Sequence, residues 1–203
     1  MASIFGMVIS GSFSGRKKLE EAANDIERAV RFSVDEAALR NSIVRVHFLL
    51  DELPQEYAVE YGPNDNFVLP TPITAPSENL SERDQELLLA ETKKLNKNFN
   101  KIREFQDKNK TIPDTIRIIG IGTEQNEFLQ TDFHASLYLY PTGEKDSAII
   151  LLASNEELIS LTIDPFTMDI EREYRALEND NDEEIEQIQN NLAQELYKIW
   201  LKK

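Results

Sequence analysis

Cysteine is absent from the 203 residues. That excludes a disulfide framework, a thiolate nucleophile and a cysteine metal site. It leaves the compartment open, because many periplasmic proteins also lack cysteine. Positive charge is scarce: 22 Lys and Arg stand against 37 Asp and Glu, a formal net charge of −15. Such a surface repels nucleic acid and anionic membrane as a whole, and its plain meaning is solubility. His47 and His134 are the only histidines, and neither falls in an H-x-x-x-H or H-E-x-x-H pattern. No G-x-S-x-G, G-x-G-x-x-G or phosphate loop occurs, and Gly120-Ile121-Gly122 lacks the third glycine and the following helix. The many carboxylates fall on helix faces and in loops, so no paired acid and base stands out. No residue pattern therefore points to an enzyme, a cofactor or a metal. Long apolar runs are missing too, since none reaches the roughly 20 residues that span a bilayer.

What is present starts with residues 2–41. Ile4, Phe5, Met7, Val8, Ile9 and Phe13 make an apolar stub, Arg16-Lys17-Lys18 a basic knot. An amphipathic helix follows, because Leu19, Ala23, Ile26 and Val30 recur at spacings of three and four. Ser33 and Glu36 have capping-box spacing, so a bend or restart is expected at Ser33. One helix over 2–41 would be about 60 Å long, too long for a core helix here, so one end is expected to project or be embedded elsewhere. The stub lacks a positive region before it and a small-residue cleavage site after it, which makes it a poor signal peptide. It reads as the last part of a longer apolar helix, with an N-terminal strand or a free tail as the alternatives. On the first reading the frame extends upstream and encodes a leader and more apolar residues.

Residues 43–50 alternate, with Val44, Val46, Phe48 and Leu50 on one face and Arg45 and His47 on the other, as in a half-buried strand. Tyr57, Val59 and Tyr61 give its hairpin partner. Phe67-Val68-Leu69 suggests a brief strand before the proline-rich linker of Pro70, Pro72 and Pro76. Ser81 caps a helix expected over 81–107, where Leu88, Leu95 and Ile102 recur at seven. Its exposed face would carry Lys93, Lys94, Lys97 and Lys101. In an acidic chain that cluster is either a solvated face paired with the protein's own acids or a contact for an anion, a nucleic acid or an acidic partner. After Pro113 short connections predict an antiparallel meander. Within it, residues 148–153 are apolar throughout, as in a central strand covered on both faces. Asp180, Asp182 and Glu184 alternate as in calcium loops but lack the EF-hand glycine and final Glu. Acids before a helix N-terminus explain them better. Ile185, Ile188, Leu192, Leu196 and Ile199 mark a closing amphipathic helix. The fold class is α+β.

Taken in order, three stretches resemble type IV pilin-like proteins, and most of all the minor pseudopilin H family of type II secretion systems, grouped with FimT-type minor pilins. The first is the stub running into Leu19-Glu20-Glu21-Ala22 and on to Leu39-Arg40-Asn41. The second is Ile43-Val44-Arg45-Val46-His47-Phe48 with its partner Tyr57-Ala58-Val59-Glu60. The third is Tyr140-Pro141-Thr142-Gly143, then Ile149-Ile150-Leu151-Leu152, then Asp164-Pro165-Phe166-Thr167, an order similar to the family's aromatic-Pro-x-Gly turn, strand and late Asp-Pro-x-Thr turn. The Gly-Phe-x-x-x-Glu prepilin signature does not occur, and the middle and closing helices are additions to a sheet-rich head. The resemblance implies a long N-terminal helix on an antiparallel head, divided as stub 1–15 and head 16–203. It implies a non-enzymatic subunit of the secretion pseudopilus, anchored in the inner membrane with its head in the periplasm. Its partners would be other pseudopilins or minor pilins. The rival is a minor pilin whose head binds a ligand or DNA through the lysine face, and a third reading is a soluble hydrolase.

Overall fold

The computed structural model describes residues 5–63, 81–126, 128–177 and 184–203, with side chains of the first helix described from Gly15. That helix, α1 (Phe5–Arg40), is 36 residues long, about 54 Å at about 1.5 Å per residue. Its predicted stripe is realised: Leu19, Ala23, Ile26 and Val30 are all buried. The expected restart at Ser33 does not occur. The Ser33 hydroxyl turns back and donates to the Ala29 carbonyl at 2.6 Å, so it serves the preceding turn and caps nothing. The helix ends at Asn41, whose φ is 49°. Ser42 N–H then bonds Ala37 O, and Asn41 N–H bonds Ala38 O. This is the Schellman arrangement, and Asn tolerates its left-handed residue.

Strands β1 (Val44–Leu49) and β2 (Glu56–Tyr61) form the expected hairpin. Helix α2 (Glu82–Asn96) follows, capped by Ser81, whose hydroxyl accepts from Asp84 N–H. It stops well short of residue 107. The chain then forms β3 (Asn100–Lys101), a 3-10 turn over Arg103–Phe105, and β4 (Lys110–Thr111). Asn96, Asn98 and Asn100 crowd the exit, and Asn is a weak helix former. Ile102 and Phe105 join the core from this irregular segment rather than from a helix face.

The later strands are β5 (Arg117–Thr123), β6 (His134–Leu139), β7 (Ala148–Ala153), β8 (Glu157–Ile163) and β9 (Ile170–Ala176). They do not make one meander. One sheet has the order β3-β2-β1-β6 with β4 also on β2, and the other has the order β5-β7-β8-β9. Strand β6 leaves its sequence neighbours and pairs antiparallel with β1. Its polar alternation matches β1, whereas β5 and β7 are apolar on both faces. The closing helix is α3 (Ile185–Trp200).

Helix α1 touches strands of both sheets. Its stripe shares one cluster with Val46 and Phe48 of β1, Leu137 of β6, Ile150 of β7 and Ile159 of β8. The opposite face of β7 and β8 (Ile149, Leu151, Leu158) packs under α3 through Ala193, Leu196, Tyr197 and Trp200. So β7 is covered on both sides, as its composition predicts. Ile199, expected on the packed face of α3, is exposed, and Tyr197 and Trp200 pack in its place. Gly122 admits the Tyr197 ring: a Cβ there would lie 2.5 Å from it. The Phe67-Val68-Leu69 strand and the calcium reading of Asp180 and Asp182 fall outside the described residues.

Candidate assembly surfaces

Of the stub residues, Ile4 lies outside the described residues. Phe5, Met7, Val8, Ile9 and Phe13 belong to the backbone of α1. Leu19 is the first buried residue of the helix among the described side chains. Arg16 marks where α1 meets the edge of the head. Its guanidinium pairs with Glu157 at 3.3 Å and lies 5.3 Å over the Tyr174 ring. Lower down, Glu27 on α1 is ion-paired with Arg172 of β9. No helix among the described residues is long and apolar enough to cross a membrane.

The lysines expected on one helical face are divided between the end of α2 and β3. Lys93 and Lys94 are in the last turn of α2, Lys97 is its C-cap, and Lys101 sits in β3 opposite Glu60. Lys93, Lys94 and Lys97 are exposed and Lys101 is half-buried. Among the described residues none of them forms an ion pair with the protein's own acids.

The face of β1 expected to meet water is covered. Arg45 is 1% exposed. It donates to Glu60 at 2.8 and 2.5 Å and to Asn96 at the end of α2 at 2.8 Å, beneath the Phe99 ring. Beside it, His47 Nδ1 meets Ser136 Oγ at 2.9 Å and His47 Nε2 meets His134 Nδ1 at 3.1 Å. The two imidazoles stack at 5.1 Å. No residue pattern pairs histidines 87 positions apart. A serine–histidine–histidine chain has the atoms of a nucleophile and base. Burial, with Arg45, His134 and Lys101 nearby, holds the His47 imidazole well below its ordinary range. That makes it a weak base. Ser136 and His47 are also absent from the lining of the nearby cleft under α2. The trio therefore reads as a packed polar layer. Among the described residues no three His, Asp or Glu side chains are grouped to hold a metal.

The turns quoted for the resemblance lie together. Gly143, at φ 91°, closes the turn after Tyr140 with its N–H on Tyr140 O. Asp164 accepts from Phe166 N–H and Thr167 N–H, both at 2.9 Å. These bonds hold its carboxyl below the usual range. Lys145 stitches the turns: its N–H donates to Pro165 O and its Nζ to Thr167 O. Asp146 then accepts from Tyr138 N–H, Tyr140 Oη and Gln125 Nε2. It thereby pairs an outward N–H of β6, a strand bonded to β1 along its other side, and blunts that edge.

Burial raises the Asp146 carboxyl from 3.8 to about 6. The folded state thus binds its proton more tightly than the unfolded state does. Its contribution to stability is full below about pH 3.8 and is lost as pH rises through about 6. That gap corresponds to about 3 kcal/mol. Asn carries no charge; its one amide oxygen can accept from Tyr138 N–H, while its NH2 cannot accept from Gln125 Nε2. Asp146→Asn should therefore gain on the wild type between pH 4 and 7, as followed by urea unfolding at each pH. Parallel curves for the two proteins would contradict this account.

Compared with known proteins, the chain matches no family model, no curated protein and no solved structure. It is an α+β chain with an N-terminal helix, antiparallel sheets and a C-terminal helix.

Proposed function

We propose that this protein is a non-enzymatic minor pseudopilin, a structural subunit of a type II secretion pseudopilus with a type IV pilin-like fold. The observation that carries the reading is α1. One uninterrupted helix supplies the head's core from Leu19 to Ala37 and continues N-terminally through the apolar residues Phe5 to Phe13. The junction of the paired turns at Lys145 supports it, because the motifs behind the resemblance form one structural unit. In this role the first turns of α1 anchor in the inner membrane and pack against the helices of other pseudopilins, while the head stands in the periplasm. The intact chain should self-associate or require detergent, and a chain lacking residues 1–15 should sediment as a monomer. Monomeric behaviour of the intact chain without detergent would overturn the reading.

A second reading is favoured by the exposed lysines that lack ion pairs among the described residues. It is a minor pilin whose head binds DNA through Lys93, Lys94, Lys97 and Lys101. Replacing the exposed Lys93, Lys94 and Lys97 together by Glu should leave the melting temperature nearly unchanged, since exposed charges are worth under about 1 kcal/mol each. Under this reading the wild type binds DNA in a salt-dependent way and the variant does not. An absence of binding at low salt removes it.

A further inference from the structure

We infer that the Phe166–Met168 turn of one copy docks into the cleft between α2 and residues 128–134 of the next copy. The inference rests on the assembly reading and specifies a head-to-head contact within it. The turn is an apolar knob on a fixed mount. Phe166 is 78% exposed and Met168 43%, yet the backbone beneath them is pinned by Asp164 and Lys145. Presenting exposed apolar side chains on a preorganised turn costs little ordering entropy when a partner binds.

The cleft is lined by Leu88, Leu89 and Thr92 of α2 with Phe128, Phe133 and His134. Its cavity is about 40 Å³, room for the thin thioether tail of Met168 but not for a whole ring. Methionine suits irregular gaps of this kind. Leu89, about half exposed at the cleft, offers apolar surface for Phe166. Phe133 adopts φ 55°, a rare conformation for a bulky residue. None of the residues of α2 is fully buried, so the helix keeps apolar surface that its own sheet does not cover.

Charge selects the pairing. Asp164 and Asp169 flank the knob in the chain, and Glu171 beyond them is paired with Lys203. Lys93 lies one turn beyond Leu89, with Lys94 and Lys97 beside it. Asp132, at the same cleft, already has a partner within the chain. His134 opens β6 at the cleft, and Leu139 closes it beside Lys145 at the knob. At about 3.4 Å per residue the strand holds the two patches roughly 17 Å apart. A knob therefore reaches the cleft of another copy, not its own. Under the assembly reading the contact repeats head to tail as an open chain, each copy giving its knob to one neighbour and its cleft to another.

The absence of native cysteine makes the test direct. The full-length Thr167→Cys, Leu89→Cys double variant is oxidised and run without reductant. A ladder of trimers and higher species is expected, with each single variant giving none. Adding Lys93→Glu and Lys97→Glu should abolish the ladder, and adding Asp169→Lys to these should restore it. Disulfide-linked dimers from a single variant, or an internal disulfide in the double variant, would overturn the inference. If the chain self-associates but no ladder forms, the inference fails and the assembly reading stands. If the chain does not associate at all, both fail.

Discussion

The Leu151→Asp chain is expected to have no cooperative folded state. Leu151 is 0% exposed on β7 and packs in the cluster formed by Ala193, Leu196, Tyr197 and Trp200 of α3. Truncation of a buried leucine already costs about 2–5 kcal/mol. A carboxylate at this position adds the cost of desolvating a charge inside an apolar cluster. The total is comparable to the about 5–15 kcal/mol by which domains are stable. The Trp200 fluorescence of a chain with a single tryptophan reports the docking of α3 directly. A soluble variant with native circular dichroism and native Trp200 emission would show that β7 is not the covered strand described.

The second large effect belongs to Arg45. Arg45→Ala removes a guanidinium bonded to Glu60 and Asn96 and leaves the Glu60 carboxylate almost wholly buried. Breaking a buried pair from one side costs about 3–5 kcal/mol. Replacing both partners by apolar residues of similar size, as in Arg45→Met with Glu60→Leu, should recover most of the loss, because no charge is then stranded. Urea unfolding of the wild type, the single and the double variant checks this. A single variant within about 1 kcal/mol of wild type would mean that the pair is solvated. Asn96 ends α2, so proteolysis near Lys93 and Lys94 is expected to accelerate in the single variant as the helix loses its anchor.

The parts of this fold that were legible in the sequence are those whose partners impose a local period. The α1 stripe, the β1–β2 hairpin and the wholly apolar β7 each show what they pack against in the spacing of their own residues. What was illegible depends on distant partners. Arg45 and His47 read as a solvent face because Asn96 and Ser136, which cover them, lie 51 and 89 residues away. The run Leu88, Leu95, Ile102 mimicked one helical face across an asparagine-rich break. Ile102 is instead held by its N–H on Val59 O, beside β2. Ser33 had the spacing of a capping box, but a buried serine in the middle of a helix bonds its own preceding turn. The departure of β6 to the first sheet was foreshadowed only by its polar alternation, a weak cue beside the short connections that suggested a meander. At the candidate surfaces, the apolar stub was recognisable by composition. The coupling of the 140–143 and 164–167 turns through Lys145 was not, because a single lysine carries no pattern.

The central claim is that α1 is divided between a core half and an assembly half. The most direct test is the thermal unfolding of a chain that lacks residues 1–15. Such a chain keeps Arg16 with Glu157, Glu27 with Arg172 and every buried residue from Leu19 onward. The account predicts a single cooperative transition within a few degrees of the intact chain, in a protein that remains monomeric. A truncated chain that is unfolded at room temperature would contradict it, because the apolar stub would then belong to the core of its own head.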